Sequence, residues 1–234
     1  MHPSLLTVYK SPFKKIRLGK DNDGGYVIID IPNPRYDILI AGGVDDDISF
    51  EEHFTTKYPS VKCIAFDGSV SAAPEHNTNI TFVHKFISGY NDEHVTNLHD
   101  IIDNHNSIFI KMDIEGHEIP WIKSLNTERL NKLEQITMEF HFPFSENEIE
   151  AFEKLNQNHF LVHFHPNTGC GLRNHNGVNI PNVFECTYLH KKYFTRFPEL
   201  NSDTIPGTLD MKNVLTCDDI YINYPPFVNL ERTF

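Results

Sequence analysis

Apolar residues along the chain gather into runs of six to eight, each closed by Gly, Pro, Asn or Asp and separated from the next by stretches with helical spacing. Tyr36 to Ala41 (YDILIA) lies between IPNPR and GGVDDD and reads as a buried strand feeding a glycine loop. In the following SFEEHFTTKY, Phe50, Phe54 and Tyr58 recur every fourth residue, and Ser49 with Glu52 makes a capping box, so a helix is predicted there. Val61 to Phe66 and Ile80 to Ile87 are the next strands, and Val95, Leu98 and Ile102 then share one face of a helix within residues 92–103. Ser107 to Met112 is a fourth strand, with a helix starting near Pro120, a residue tolerated in a first turn. Gln135 to Phe142 is a fifth, followed by a helix over 145–157 with a second capping box at Ser145 and Glu148. Phe160 to His165 and Val183 to His190 are two more strands, separated by a Gly- and Asn-rich loop from Pro166 to Pro181, and Asp218 to Asn223 (DDIYIN) a further short one.

Strands alternating with helical stretches imply βαβ units and a parallel sheet, and the late strand-loop-strand pattern adds an antiparallel pair at one edge. The chain is expected to be one doubly wound α/β domain, with a cap segment (1–35), a core (36–192) and a C-terminal extension (193–234).

Composition narrows the function. A 234-residue chain that is 39% hydrophobic with 18 Phe can bury a sizeable core. Its formal charge of −12 argues against a broad phosphate-binding surface and hence against nucleic acid as a partner. No run has the length of a membrane span or signal peptide, and Cys63, Cys170, Cys186 and Cys217 lie far apart without a CxxC, so a cytoplasmic protein with reduced thiols is expected.

In an open α/β sheet, ligands bind beyond the carboxyl ends of the strands. Gly42 and Gly43 follow the first core strand, where a ligand can approach the backbone, and Asp67 follows the second, at the distance where an acid holds ribose hydroxyls. The aspartates after the glycine pair disfavour a pyrophosphate but tolerate a zwitterion such as a methionine head. Asp113 and Glu115 follow the fourth strand, Glu139 and His141 close the fifth, and His163, His165 and Asn167 end the sixth. Glu139 and His141 are two apart on a strand and share a face, opposite Met138 and Phe140. Imidazole with carboxylate is a ligand set for a divalent metal and equally a set for general-base work. A single histidine among 14 is more often a hydrogen-bonded structural residue, whereas an acid at the end of a central strand faces the ligand crevice.

KMDIEGHE resembles the signature of FkbM-type methyltransferases, and the likeness continues through DNDGGYVI, GGVDDDISFEEHF, AFDGS, ITMEFHF, FHPNTGCG and PNVFECTYLHK, over roughly residues 15 to 192. It implies the class I methyltransferase (Rossmann-like) fold, a doubly wound, seven-stranded, mostly parallel sheet with an antiparallel edge strand, and S-adenosylmethionine as cofactor. Carried onto this chain, Gly42, Gly43 and Asp45 would line the methionine portion. Asp67 with Gly68 would hold the ribose, Ile87 and Ser88 would flank the adenine, and Asp113 and Glu115 would stand at the methyl-transfer end. The glycine loop departs from the E/DxGxGxG of many methyltransferases. Members typically methylate hydroxyls of sugars, glycolipids or small natural products, which makes a sugar or glycan the expected acceptor.

A sugar hydroxyl needs a base, or a metal that lowers its pKa, before it attacks a sulfonium carbon. Asp113, Glu139 and His141 are the candidate ligands for Mg²⁺ or Mn²⁺, with His165 as an extra ligand or base. Metal-free catalysis by His141 or His165 is the alternative. Glu115, His117, Asn167 and Arg173 are candidate acceptor contacts. DNDGGYVI reads as a hairpin or edge strand, or as a segment covering the cofactor. Two rival functions are a non-catalytic nucleoside-binding partner of a glycosyltransferase and a metal-dependent hydrolase, which would leave Asp67 and the glycine loop without a job.

Overall fold

The structure is a computed structural model and describes residues 2–71, 78–145 and 148–229. Its strands are β1 (Lys15–Leu18), β2 (Tyr26–Ile29), β3 (Ile38–Gly42), β4 (Lys62–Phe66), β5 (Ile80–Val83), β6 (Phe86–Ile87), β7 (Val95–Thr96), β8 (Ile108–Met112), β9 (Leu133–His141), β10 (His159–Pro166), β11 (Leu172–His175), β12 (Val178–Pro181) and β13 (Val183–His190). The helices are α1 (Ser49–Lys57), α2 (His99–Asp103), α3 (Glu118–Ser124), α4 (Thr127–Lys132) and α5 (Ile149–Asn158).

Seven strands form the main sheet in the order β10-β13-β9-β8-β3-β4-β5. The last strand in sequence, β13, is antiparallel as expected, but it sits between β9 and β10 and pairs antiparallel with both, one place in from the edge. Side chains alternate across the strands and bury both faces. Ile110, Met112, Met138 and Phe140 pack on one side with Trp121, Leu130 and Phe152 from α3, α4 and α5. Leu39, Ala41 and Phe109 pack on the other with Phe50 and Phe54 of α1 and with Tyr26 and Ile28 of β2. The predicted Phe50/Phe54 stripe is therefore the buried face of α1, where the Phe54 ring lies tilted 4.7 Å from that of Phe109.

DNDGGYVI forms the second half of an antiparallel hairpin, β1–β2, laid on the sheet. Its backbone is satisfied by buried side chains below it. The Gln135 amide accepts from Ile29 N (2.6 Å) and donates to Ile29 O (3.0 Å), while the Thr187 hydroxyl donates to Val27 O at 2.5 Å.

Several expected elements differ. The 80–87 strand breaks into β5 and β6, and Val95 belongs to β7, parallel to β6, because Leu98 takes a left-handed φ of 64° and delays the helix to His99. Ser49 does not cap α1: Asp47 Oδ1 accepts from Ser49 N at 3.0 Å, and the Ser49 hydroxyl accepts from Lys20 N at 2.8 Å. At the second box the Glu148 carboxylate does accept from Ser145 N; residues 146–147 between them lie outside the described residues. The 166–181 loop contains the β11–β12 hairpin, turning at Asn176 (φ 50°) and Gly177 (φ 82°). No strand forms over 218–223; this segment is irregular, although Ile222 is fully buried.

The extension is pinned by polar bonds rather than by ladders. Asn201 donates to Asp203 O and Phe227 O, and Asp210 faces His163 at 2.9 Å. Burial alone would raise the Asp210 pKa, but His163 outweighs it and holds the carboxyl down at about 2.

His159 opens β10 fully buried, its Nε2 2.6 Å from the Leu133 carbonyl, and burial drives its pKa down to about 3. A depressed imidazole pKa means the folded state rejects the proton that the unfolded chain accepts near pH 6.5. Its contribution is complete above pH 6.5 and is lost as pH falls towards 3, on the order of 5 kcal/mol in all. We expect His159→Gln, which retains a donor for Leu133, to flatten the fall of unfolding free energy between pH 6.5 and 4 by up to about 1 kcal/mol per pH unit in urea titrations.

Candidate functional site

At the carboxyl end of β3 the chain turns at Gly43, φ +69°, where a Cβ would lie 1.6 Å from the Asp113 carbonyl oxygen. A Cβ on Gly42 would meet Ile87 Cδ1 at 2.6 Å. Gly43 requires glycine for approach and conformation together, whereas the close contact at Gly42 is with the tip of the Ile87 side chain. Asp67, at the end of β4, holds this turn from the other side. Its Oδ2 accepts from Val44 N (3.1 Å) and Asp45 N (2.9 Å), and its Oδ1 from Ser69 N (2.7 Å) and Ser69 Oγ (2.6 Å). Burial raises the Asp67 pKa, but these four donors outweigh it and hold the carboxyl below its ordinary range. They also fill its four lone-pair directions, so a ribose hydroxyl can bind only as the Ser69 hydroxyl turns away.

Two chambers open along this edge and share Gly43, Asp67, Ser69, Asp113 and Glu115. The larger, about 380 Å³, is polar and includes Tyr26, Asp45, Glu51 and Lys111. The smaller, about 250 Å³, has Gly68, Phe86, Ile87, Ile114 and His117 in its wall. Ser88 is buried behind it, with its hydroxyl 3.1 Å from His117 Nδ1. A ligand with a charged head, a hydroxylated middle and a flat apolar end suits this sequence of surfaces, so the residues present fit an adenosyl amino acid.

Beyond Asp113 lies the one group of metal-ligating side chains among the described residues: Asp113, Glu139 and His141 offer atoms within 4.8 Å of one another. Each is oriented by a neighbour. The Tyr26 hydroxyl donates to Asp113 Oδ2 at 2.8 Å, and the Asn167 amide donates to Glu139 Oε1 at 2.8 Å. His141 Nδ1 lies 3.2 Å from Glu118 Oε1, which also accepts from Ile114 N, so the ring presents Nε2 to Asp113 (3.7 Å) and Glu115 (3.4 Å). Asp113 Oδ1 is buried without a hydrogen-bond partner. Burial, followed by the charges of Asp113 and Glu185, pushes the Glu139 pKa well up. Burial lowers that of His141, but Glu118, Asp113 and Glu115 outweigh it and raise it.

Non-glycine residues with left-handed backbone follow three adjacent strand ends: Asp45 (φ 42°), Glu115 (φ 55°) and Phe142 (φ 48°). Such conformations cost about 1 kcal/mol or more each and collect where a site overrides local preference.

The structure thus brings together Gly42, Gly43, Asp45, Asp67, Gly68, Ile87, Asp113, Glu115, His117, Glu139 and His141. His165 stands apart, 1% exposed and 3.5 Å from Glu185, and borders neither chamber. Asn167 contacts Glu139 and orients it, while Arg173 lies exposed on β11 with its guanidinium over the Phe144 ring. Sequence reasoning missed Tyr26, Ser69, Glu118, Glu51 and Lys111. The signal for Lys111 was a charge inside the apolar run FIKM, and for Glu118 the second acid of EGHE; Tyr26 carried none beyond opening a strand.

Among curated proteins, none matches the chain in sequence. Solved structures similar to it include a fibrillarin/Nop5p complex (TM-score 0.40, 8% identity, 66% of this chain and 72% of that one). A precorrin-6y C5,15-methyltransferase from Geobacter metallireducens is another (TM-score 0.36, 13% identity, 66% and 80%). A third is the plantazolicin methyltransferase BpumL in complex with SAH (TM-score 0.34, 13% identity, 65% and 75%). At these scores none of the three informs the site. The model of the methyltransferase FkbM domain, in contrast, matches residues 10–169, from the hairpin through the glycine turn and the Asp113–Glu139–His141 cluster. The chain belongs to the FkbM methyltransferase domain family.

Proposed function

We propose that this methyltransferase, dependent on S-adenosylmethionine, methylates a hydroxyl of a sugar, glycan or related polyhydroxylated acceptor, and that Asp113, Glu139 and His141 bind a divalent cation, Mg²⁺ or Mn²⁺, that assists it. The observation that carries the reading is the shared residue: Asp113 borders both cofactor chambers and belongs to the metal-ligating cluster. Two carboxylates and an imidazole form a mixed oxygen and nitrogen set suited to these ions. The unpartnered Asp113 Oδ1 and the like charges crowded around Glu139 are what such an ion would relieve.

When bound, the cofactor supplies a methyl group on a sulfonium, and the cation would lower the pKa of an acceptor hydroxyl. The chain's own residues orient the acceptor and take its proton. In the metal-free alternative His141 would accept that proton at Nε2, because Glu118 holds its Nδ1–H and raises its basicity; with the cation bound, the same nitrogen is a ligand instead. Tyr26 fixes Asp113 and Asn167 fixes Glu139, so both carboxylates are oriented before an acceptor arrives. Glu115, 85% exposed beside His141, stands where an acceptor would enter, whereas His117 lines the smaller chamber beside Ser88. His165, buried against Glu185, is a structural residue in this reading. A hydrolase or a non-catalytic partner module would make no use of the Asp67-braced glycine turn together with the cluster.

Two expectations follow for the wild-type protein and its variants. In calorimetry, S-adenosylmethionine and S-adenosylhomocysteine bind at micromolar concentration and Asp67→Ala weakens both by at least about 100-fold, because it removes a charged acceptor and the brace of the turn. Absence of binding to the wild type would end the methyltransferase reading. In titrations of Mn²⁺ followed by electron paramagnetic resonance, the wild type binds the ion, and Glu139→Gln or His141→Ala weakens it about 10- to 100-fold while S-adenosylhomocysteine affinity holds. Full S-adenosylhomocysteine production from a responding glycoside after exhaustive EDTA treatment would remove the metal and leave His141 as a metal-free base.

A further inference from the structure

Glu51, in the first turn of α1, is 1% exposed, and neither of its carboxylate oxygens has a hydrogen-bond partner. Burying a carboxylate without donors is costly, and nothing in the packing of α1 asks for one there, since Phe50 and Phe54 already supply its apolar face. Lys111, on β8, is 5% exposed. Its ammonium donates to the Gly43 carbonyl at 2.7 Å and sits 5.2 Å from the centre of the Tyr26 ring, which leaves donors to spare. Both residues border the 380 Å³ chamber beside the glycine turn, and no ion pair joins them. A buried acid and a buried amine are thus held in one chamber without contact between them.

The other charged groups there are engaged or exposed. Asp47 pairs with Lys20 at 3.3 Å and with Ser49, Asp67 is filled by its four donors, Asp113 holds the Tyr26 hydroxyl, and Asp45 and Asp46 are exposed. Glu51 is the fully buried and unclaimed acid of the chamber.

We infer that Glu51 and Lys111 together read the zwitterionic amino-acid head of the adenosyl cofactor, Glu51 accepting from its ammonium and Lys111 donating to its carboxylate; this rests on the cofactor reading above. The smaller chamber then serves the nucleoside end, and selectivity for the complete cofactor over its fragments resides in this charge pair. Burial raises the Glu51 pKa, with Lys111 opposing, as befits an acid that awaits a cation.

The test compares four compounds by calorimetry on wild type, Glu51→Gln and Lys111→Met: S-adenosylmethionine, S-adenosylhomocysteine, decarboxylated S-adenosylmethionine, which keeps the amine, and 5′-methylthioadenosine, which lacks the amino-acid head. Glu51→Gln is expected to weaken the three amine-bearing compounds about 10- to 100-fold and to leave 5′-methylthioadenosine within about two-fold. Lys111→Met, which also removes the bond to Gly43 O, should weaken the two compounds that carry the carboxylate about 10-fold more than the two that lack it. Thermal unfolding of each ligand-free variant checks its fold, and the near-isosteric Glu51→Gln should match or exceed the wild type. Binding of all four to the wild type with equal losses for every compound, or with no loss, would overturn the charge-pair assignment and leave the cofactor reading standing. Failure of all four to bind the folded wild type would overturn both.

Discussion

Where the chain leaves β3, its backbone passes so close to the carbonyl of Asp113 that Gly43 has no room for a side chain. Neighbouring bonds tighten this crossing: Gly43 N donates to Phe66 O, Asp113 N to Gly42 O, and Lys111 Nζ to Gly43 O. Three strand ends, β4, β3 and β8, are thereby locked into one surface. The cofactor turn and the acid that begins the chemical cluster cannot shift relative to each other without breaking several short hydrogen bonds. Pre-organisation of this kind is what an enzyme needs when its task is mostly to align two reactants.

The same surface concentrates buried charge, and the protein treats its carboxylates in two ways. Asp67 is saturated by four donors, and Glu118 is held by Ile114 N and His141, so both are framework. Both oxygens of Glu51 and Asp113 Oδ1 have no hydrogen-bond partner, and both residues border the larger chamber. These unpartnered carboxylate oxygens stand where a cationic ligand or a metal would meet them. Like the strained Asp45, Glu115 and Phe142 backbones, they mark where folding and function ask for different things.

Legibility in the sequence followed periodicity. The core strands were readable because β3, β4 and β8 are buried on both faces and therefore continuous apolar runs bounded by turn residues. The Gly43, Asp67, Asp113 and Glu139/His141 positions were readable because strand ends define the crevice in such sheets. What escaped depends on distant partners. Leu98 interrupts an apparent helix through a backbone conformation that its apolar character does not announce. The Asn176–Gly177 turn was a hairpin signal set among so many Asn and Gly residues that the segment read as loop. Tyr26 reaches Asp113 across 87 positions, a pairing no local pattern encodes. The extension is held by single bonds such as Asn201 to Val8 O and Asn213 to Glu185, which leave no repeat to detect.

The hairpin and the extension together decide how the cluster can be approached. Gln135 and Thr187 hold the hairpin onto the β9–β13 face, and Asn213 and Asp210 close over Glu185 and His163 further out. That side of the cluster is sealed: Glu185 and His165 are 5% and 1% exposed. On the opposite face of the sheet, Met112, Met138 and Phe140 are packed under α3 and α5. The approach left open runs past the strand ends, beside Glu115 and the 167–171 loop that carries Asn167. An acceptor of the kind proposed would meet there the exposed Glu115, with the half-buried His141 and Asp113 beside it. Under the function proposed, Glu115, His141 and Asp113 would therefore meet an acceptor hydroxyl together, at the edge of the chambers that would hold the methyl donor.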